Sequence, residues 1–201
     1  MTKTLVLKSS ILGEHSQSNQ LIQKAVEESS DVVIRDLAAQ PVPVLDMDVV
    51  TAINSPESEL TESLKTTLAL SNTLIEEIKS ADTIVIGAPM YNFMVPTQLK
   101  SWFDLIARAG VTFSYTETGP VGLIKNKKVI IVTTRGGIHA NTASDSVNSY
   151  LGNMLGFLGM TDIEFVYAEA LNMGEEPAAQ SRENAQSQLA ELVDETLNPA
   201  S

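Results

Sequence analysis

The chain has 201 residues and a mass of 21.6 kDa, the size of one domain whose core can close without disulfide or metal staples. It contains no cysteine, which excludes disulfides, thiolate metal sites, Fe–S clusters and cysteine nucleophiles together. Its formal net charge of −12 repels phosphate backbones and anionic lipid, so neither nucleic acid nor a membrane surface is an expected partner. The opening apolar run, Leu5-Val6-Leu7, is too short for a signal peptide and is interrupted by Lys8. No stretch approaches the ~20 apolar residues needed to span a bilayer, and the expected location is the cytoplasm.

Thr4 to Leu7 predicts a buried strand that breaks into Ser9-Ser10. Leu21, Ile22, Ala25 and Val26 recur at helical spacing over residues 17–28. Val32 to Ile34 predicts a second strand, and the proline-rich stretch from Gln40 to Glu59 a long connection. Leu60, Leu64, Leu68, Ile75 and Ile78 mark a helix of about five turns. A third strand, Thr83 to Ile86, ends at Gly87-Ala88-Pro89, and Thr97 is the expected N-cap of a helix carrying Leu99, Trp102, Phe103 and Ile106. Residues 111–124 read as an excursion, a hairpin by their aromatic and glycine content. Val129 to Val132 predicts a fourth strand, Val147 to Leu158 a helix, Ile163 to Tyr167 a fifth strand, and a last helix opens near Pro177. Near-continuous apolar strands alternating with helices belong to a parallel sheet covered on both faces. The expected fold is therefore α/β: a flavodoxin-like, doubly wound, five-stranded parallel sheet, with residues 1–201 forming a single domain.

Ligands of open parallel sheets bind outside the carboxyl ends of the strands. Three loops leave those ends with suggestive residues. The first, Ser9 to Asn19, holds Ser10, Ser16, Gln17 and Ser18 ahead of a helix. Hydroxyls and free N–H groups at a helix N-terminus can cradle a phosphate; equally, serines fill solvated loops. Neither G-x-G-x-x-G nor G-x-x-x-x-G-K-[ST] is present. The second loop, Met90-Tyr91-Asn92-Phe93, offers flat apolar surface beside an amide that both donates and accepts, which suits a planar heterocycle or a tight turn with buried aromatics. The third, Thr134-Arg135-Gly136-Gly137 followed by His139, lets the backbone approach a ligand closely. With 2 histidines a multi-histidine metal site is not expected. His139 reads as a loop residue or substrate-side contact, with a Ser-His-Asp triad through Asp145 as the competing arrangement; no G-x-S-x-G elbow accompanies it.

Taken together these segments resemble the FMN-dependent NADH-azoreductase family of flavodoxin-like quinone and azo-dye reductases. The resemblance runs nearly end to end. It is carried by Leu5-Val6-Leu7-Lys8-Ser9-Ser10 with Ser16-Gln17-Ser18-Asn19, and by Ala88-Pro89-Met90-Tyr91-Asn92-Phe93. Gln98-Leu99-Lys100 leading to Phe103-Asp104, Arg108-Ala109-Gly110-Val111-Thr112-Phe113 and Arg135-Gly136-Gly137 complete it. Thr134 stands where the family often has serine, which keeps the hydroxyl. The resemblance implies one non-covalent FMN, its phosphate held by Ser10 and Ser16 to Ser18, its ring lined by Met90 to Phe93, and its pyrimidine edge met by Thr134 to Gly137. It further implies a homodimer, a substrate pocket walled by Tyr115 and Phe157, and ping-pong electron transfer from NADH to quinones and azo compounds. No side chain is assigned as catalytic. From the residues themselves, the homodimer is suggested by apolar surface on Trp102, Phe103, Ile106 and Phe157. The rival functions are a flavodoxin without its own substrate and a hydrolase using a loop serine.

Overall fold

The computed structural model describes residues 2–197. In chain order the elements are β1 (Thr4–Lys8), α1 (Gln17–Ala25), β2 (Val32–Asp36), α2 (Met47–Asn54), α3 (Glu62–Ser80), β3 (Thr83–Gly87), α4 (Thr97–Ile106), β4 (Phe113–Thr116), β5 (Gly119–Gly122), β6 (Lys128–Thr134), α5 (Ser146–Leu158), β7 (Asp162–Ala168) and α6 (Glu175–Leu197). The five apolar runs form one parallel sheet in the order β2-β1-β3-β6-β7. This is the expected α/β, flavodoxin-like arrangement.

Successive side chains of a strand face opposite sides, and the core divides accordingly. Leu5, Leu7, Ile84, Ile86, Val129 and Ile131 face α3, α4 and α5. Val6, Val85, Ile130, Val132 and Val166 face α1 and α6. Both faces of the three central strands are dry, which is why those strands read as unbroken apolar runs rather than alternating ones.

Three expectations are corrected. The connection from Gln40 to Glu59 contains α2 and a short 3-10 turn, Glu57–Glu59. Its prolines, Pro41, Pro43 and Pro56, flank the helix without interrupting it, and Asp46 caps it by accepting from Val49 N at 2.9 Å. Thr97 is not a cap: it is the first residue of α4, which follows Pro96 without any side-chain cap. Trp102, Phe103 and Ile106 are fully buried within the chain, so they supply no apolar surface for a second subunit. The expected hairpin is present as β4 and β5, an antiparallel pair turning between Thr116 and Gly119. Its last residue, Gly122, lies flat on the end of α5. A Cβ at Gly122 would come within 2.1–2.4 Å of the Leu158 and Gly159 backbone, so only glycine permits that contact.

Candidate functional site

β1, β3 and β6 end side by side, and their loops are stitched together. Ser9 Oγ donates to Gly87 O at 2.5 Å. The hydroxyls of Ser10 and Tyr91 are 2.8 Å apart, joining the first loop to the second. Met90 N donates to Thr134 O at 3.0 Å, joining the second to the third. Three segments far apart in sequence thus form one surface.

In the first loop Ser16 caps α1, its hydroxyl accepting from Asn19 N at 3.2 Å and lying 3.1 Å from Ser18 Oγ. Ser10, Ser16 and Ser18 are all buried, so these are not merely solvated loop serines. A helix start leaves several N–H groups without intrahelical partners. The cap engages that of Asn19; those of Gln17 and Ser18 donate to no acceptor among the described residues. No acidic residue lies in the first turn of α1. Its positive dipole end is therefore left for an outside anion, even in a chain this acidic.

The second loop is a two-residue reversal. Tyr91 N donates to Met94 O at 2.8 Å, and Met94 N returns the bond at 3.0 Å. Asn92 and Phe93 between them have φ of 51° and 65°. Left-handed backbone is uncommon for asparagine and costly for phenylalanine, on the order of 1–3 kcal/mol, and such strain gathers at functional sites. It holds the Phe93 ring 60% exposed, with its edge-to-face neighbour His139 at 5.7 Å. Ser146, at the start of α5, donates to Phe93 O and fixes the turn from behind. A cavity of about 790 Å³ opens beside this turn, bounded by Ile11, Met90, Tyr91, Asn92, Pro96 and Thr97. That volume is in the range of small-molecule sites.

The third loop reveals its order in its carbonyls. Those of Arg135, Gly136 and Gly137 accept from Leu171 N, Asn172 N and Ala170 N at 3.2, 3.0 and 2.9 Å. In a trans peptide the N–H points opposite to its C=O. The N–H groups of Gly136, Gly137 and Ile138 are therefore turned away from segment 170–172, and among the described residues they donate to no acceptor. They form a row of outward-turned donors, with the side chains of Asn172 and His139 packed beside Gly136 and Gly137.

The Arg135 side chain is itself 0% exposed and faces away from solvent. Its guanidinium donates to Asp145 and Asn148 at 2.8 Å, to Glu169 at 3.3 Å and to Thr133 at 3.2 Å, and lies 5.3 Å from the Tyr167 ring centre. Burial pushes the Tyr167 phenol above its ordinary range. The Arg135 side chain thus anchors the loop, and its N–H is engaged as well, donating to Ala168 O at 2.9 Å. Asp145 is spent on this ion pair, and His139 Nδ1 meets Ser144 Oγ at 2.8 Å instead. The Ser-His-Asp arrangement through Asp145 is absent, and the hydrolase alternative loses its triad.

Tyr115 and Phe157 are not brought to these loops within one chain. They meet around Phe113, whose ring centre is 5.4 Å from that of Tyr115 and 4.4 Å from that of Phe157. Tyr115 is 74% exposed. Phe157 lies three turns along α5 from Ser146, roughly 16 Å at 1.5 Å per residue. Phe113, the centre of the cluster, entered the sequence reading only as part of a segment carrying the resemblance, with no role at the site, and Glu169 and segment 170–172 were not singled out. All three are buried or paired by tertiary contacts that no local pattern announces.

A parallel sheet in this order, with its loops stitched at the carboxyl edge, defines a flavodoxin-like α/β protein. Residues 2–193 match the family described as flavodoxin-like fold, and the chain belongs to that family. It is 57% identical over 195 residues to a Vibrio parahaemolyticus protein named FMN-dependent NADH:quinone oxidoreductase, covering 96% of this chain and 100% of that one. A Shewanella denitrificans protein of the same name is 54% identical over 197 residues, covering 96% of this chain and 100% of its own. Among solved structures, the fold is similar to an FMN-dependent NADH-azoreductase from Bacillus anthracis in complex with FMN. The TM-score there is 0.86 at 27% identity, over 96% of this chain and 98% of that one. No helix among the described residues is long and apolar enough to cross a membrane.

Proposed function

We propose that this chain is an FMN-dependent oxidoreductase that passes electrons from NADH to quinones and azo compounds. The observation that carries the reading is the set of unengaged N–H groups on one stitched surface: Gln17 and Ser18, then Gly136, Gly137 and Ile138. The first pair, with the hydroxyls of Ser10, Ser16 and Ser18, suits a single terminal phosphate. The second row suits the acceptor atoms on the pyrimidine edge of a flavin, beside Thr134 and the Arg135 backbone. Between them Met90, Tyr91, Asn92 and Phe93 offer the flat wall a tricyclic ring needs. When bound, FMN supplies the two-electron chemistry, and on reduction negative charge gathers at its N1–C2=O edge. The donors of the third loop are preorganised dipoles for that charge and need no rearrangement to meet it. The turn at Asn92-Phe93 holds its aromatic ring outward, where it excludes water from a stacked reactant.

The same proposal includes a homodimer. Tyr115 and Phe157 can wall a substrate over the flavin only if they arrive from a second copy, because their own chain holds them at the far end of α5. Residues 1–201 act as one FMN-binding domain, and a cytoplasmic location follows from the reductant. Denaturation of the purified yellow protein is expected to release FMN, identified by chromatography; FAD, or no uptake of FMN by the stripped protein, would refute the reading. Rapid bleaching by NADH alone separates it from a flavodoxin that needs a protein donor. Double-reciprocal rate plots at several NADH concentrations are expected to be parallel, since both reactants use one face in turn.

A further inference from the structure

We propose that Glu169 is a positioning residue that sets how strongly the third loop favours reduced over oxidised FMN; this rests on the FMN reading above. Glu169 directly follows β7. One of its oxygens, Oε1, accepts from His139 N at 2.7 Å and Ala140 N at 2.8 Å, and lies 3.3 Å from Arg135 Nη1. A single carboxylate therefore grips both ends of the loop, Arg135 where it leaves β6 and His139-Ala140 where it turns toward α5. Between those grips stand Gly136, Gly137 and Ile138, whose N–H groups form the outward donor row.

That stretch has no regular structure, and glycine pays most in conformational freedom to be held still. Its carbonyls are tied to residues 170–172, the segment that Glu169 itself begins. Ala170 in that segment has φ of 58°, and the Glu169 N–H donates to Ser181 Oγ at 2.9 Å, which fastens the segment to α6. Glu169 is thus the point where the loop, the strand end and the last helix are joined. Arg135 on its other side is held by Asp145 and Asn148, so the clamp is anchored on α5 as well. Donors that stabilise developing charge work because they are fixed before the charge appears. Without the Glu169 oxygen, His139 and Ala140 lose their acceptor, and the row keeps only its carbonyl ties to residues 170–172, so its donors hold their direction less firmly. The oxidised ring, with less charge at that edge, loses less than the reduced one.

The test measures the dissociation constant of FMN from the stripped protein and the two-electron midpoint potential of the bound flavin. Glu169→Ala is expected to weaken oxidised FMN at least threefold and reduced FMN about tenfold more than that, lowering the potential by about 30 mV. Glu169→Gln, which keeps an acceptor for both N–H groups, is expected to restore the potential to within half of that shift. Should Glu169→Ala fail to fold, Glu169→Asp withdraws the oxygen by one methylene while keeping the charge, and the same downward shift is expected. An unchanged potential with only a lower melting temperature would make Glu169 a purely structural residue and overturn the proposal. A Glu169→Gln potential equal to that of Glu169→Ala would overturn it too, since an acceptor kept in place for both N–H groups would then make no difference. Failure of the unaltered protein to take up FMN would instead refute the FMN reading itself, before any variant is compared.

Discussion

Single hydroxyls and single peptide planes decide what this surface can hold. Ser16 and Ser18 are buried and bonded to one another, and Ser16 also accepts from Asn19 N, which keeps both hydroxyls at the start of α1 instead of in solvent. Replacing both by alanine is expected to weaken FMN binding by roughly 1–3 kcal/mol, measured by quenching of flavin fluorescence on titration into stripped protein. The fold should survive, because the apolar contacts of Leu21 and Ile22 with the sheet remain. Arg135 behaves differently. Its guanidinium is wholly buried between Asp145 and Glu169, and removing one member of a buried charge cluster leaves the others uncompensated. Arg135→Ala is expected to destabilise the protein by about 3 kcal/mol or more in urea unfolding, where the serine pair, which removes the N-cap of α1, costs about 1 kcal/mol.

Among the elements, the β4–β5 hairpin and α5 carry consequences that the strands do not. Gly122→Ala places a methyl against the backbone of Leu158 and Gly159, which no rotamer change can relieve. The expected cost is about 3 kcal/mol, at the upper end for overpacking, read from the urea midpoint. The aromatic cluster of Phe113, Tyr115 and Phe157 should be displaced with the hairpin, so acceptor turnover falls while FMN stays bound. Where α5 packs on α4, Tyr150 meets Phe103 edge to face at 6.0 Å. Burial, reinforced by the charge of Asp104, pushes the Tyr150 phenol up to about 12. The folded chain then holds that proton more tightly than the unfolded chain, whose tyrosine titrates near 10. This contribution to stability is complete below about pH 10 and is lost as pH rises from there through 12. Tyr150→Phe should flatten that part of the stability profile, measured by urea unfolding between pH 9 and 12.

For the molecule as a whole, the decisive feature is a separation. The loops at the carboxyl edge and the aromatic cluster at the far end of α5 belong to one chain, yet they lie about three helical turns apart. The homodimer proposed above would place one beside the other. The expected result is complementation: a Tyr115→Ala, Phe157→Ala chain and a Ser16→Ala, Ser18→Ala chain, each poor alone, regain activity when mixed and reassembled. One of the two sites in the mixed dimer then has an intact cofactor loop and an intact aromatic wall. Sedimentation showing a fully active monomer, or no gain on mixing, would rule out a shared site.

How much of this was legible in advance follows from the range of the forces involved. The five strands were, because a strand buried on both faces must be apolar throughout, and Val129-Ile130-Ile131-Val132 advertises that locally. So were the serines ahead of α1 and the glycines after β6, since a helix start and a close backbone approach restrict residue type at a few adjacent positions. Helix α2 was not, because its prolines flank it and composition alone reads them as a loop. Nor was the burial of Trp102, Phe103 and Ile106, since an apolar face looks the same whether it packs on its own sheet or on a neighbour. Glu169 and segment 170–172 were beyond sequence reading altogether. Their role exists only because parallel pairing sets β7 beside β6, bringing residues about thirty positions apart within hydrogen-bonding distance. The sequence by itself determined the sheet and the family, and pointed to the serines of the first loop as a candidate phosphate cradle. Only the tertiary structure decided which way the peptide groups of the third loop face, because that direction is set by partners the chain meets after folding.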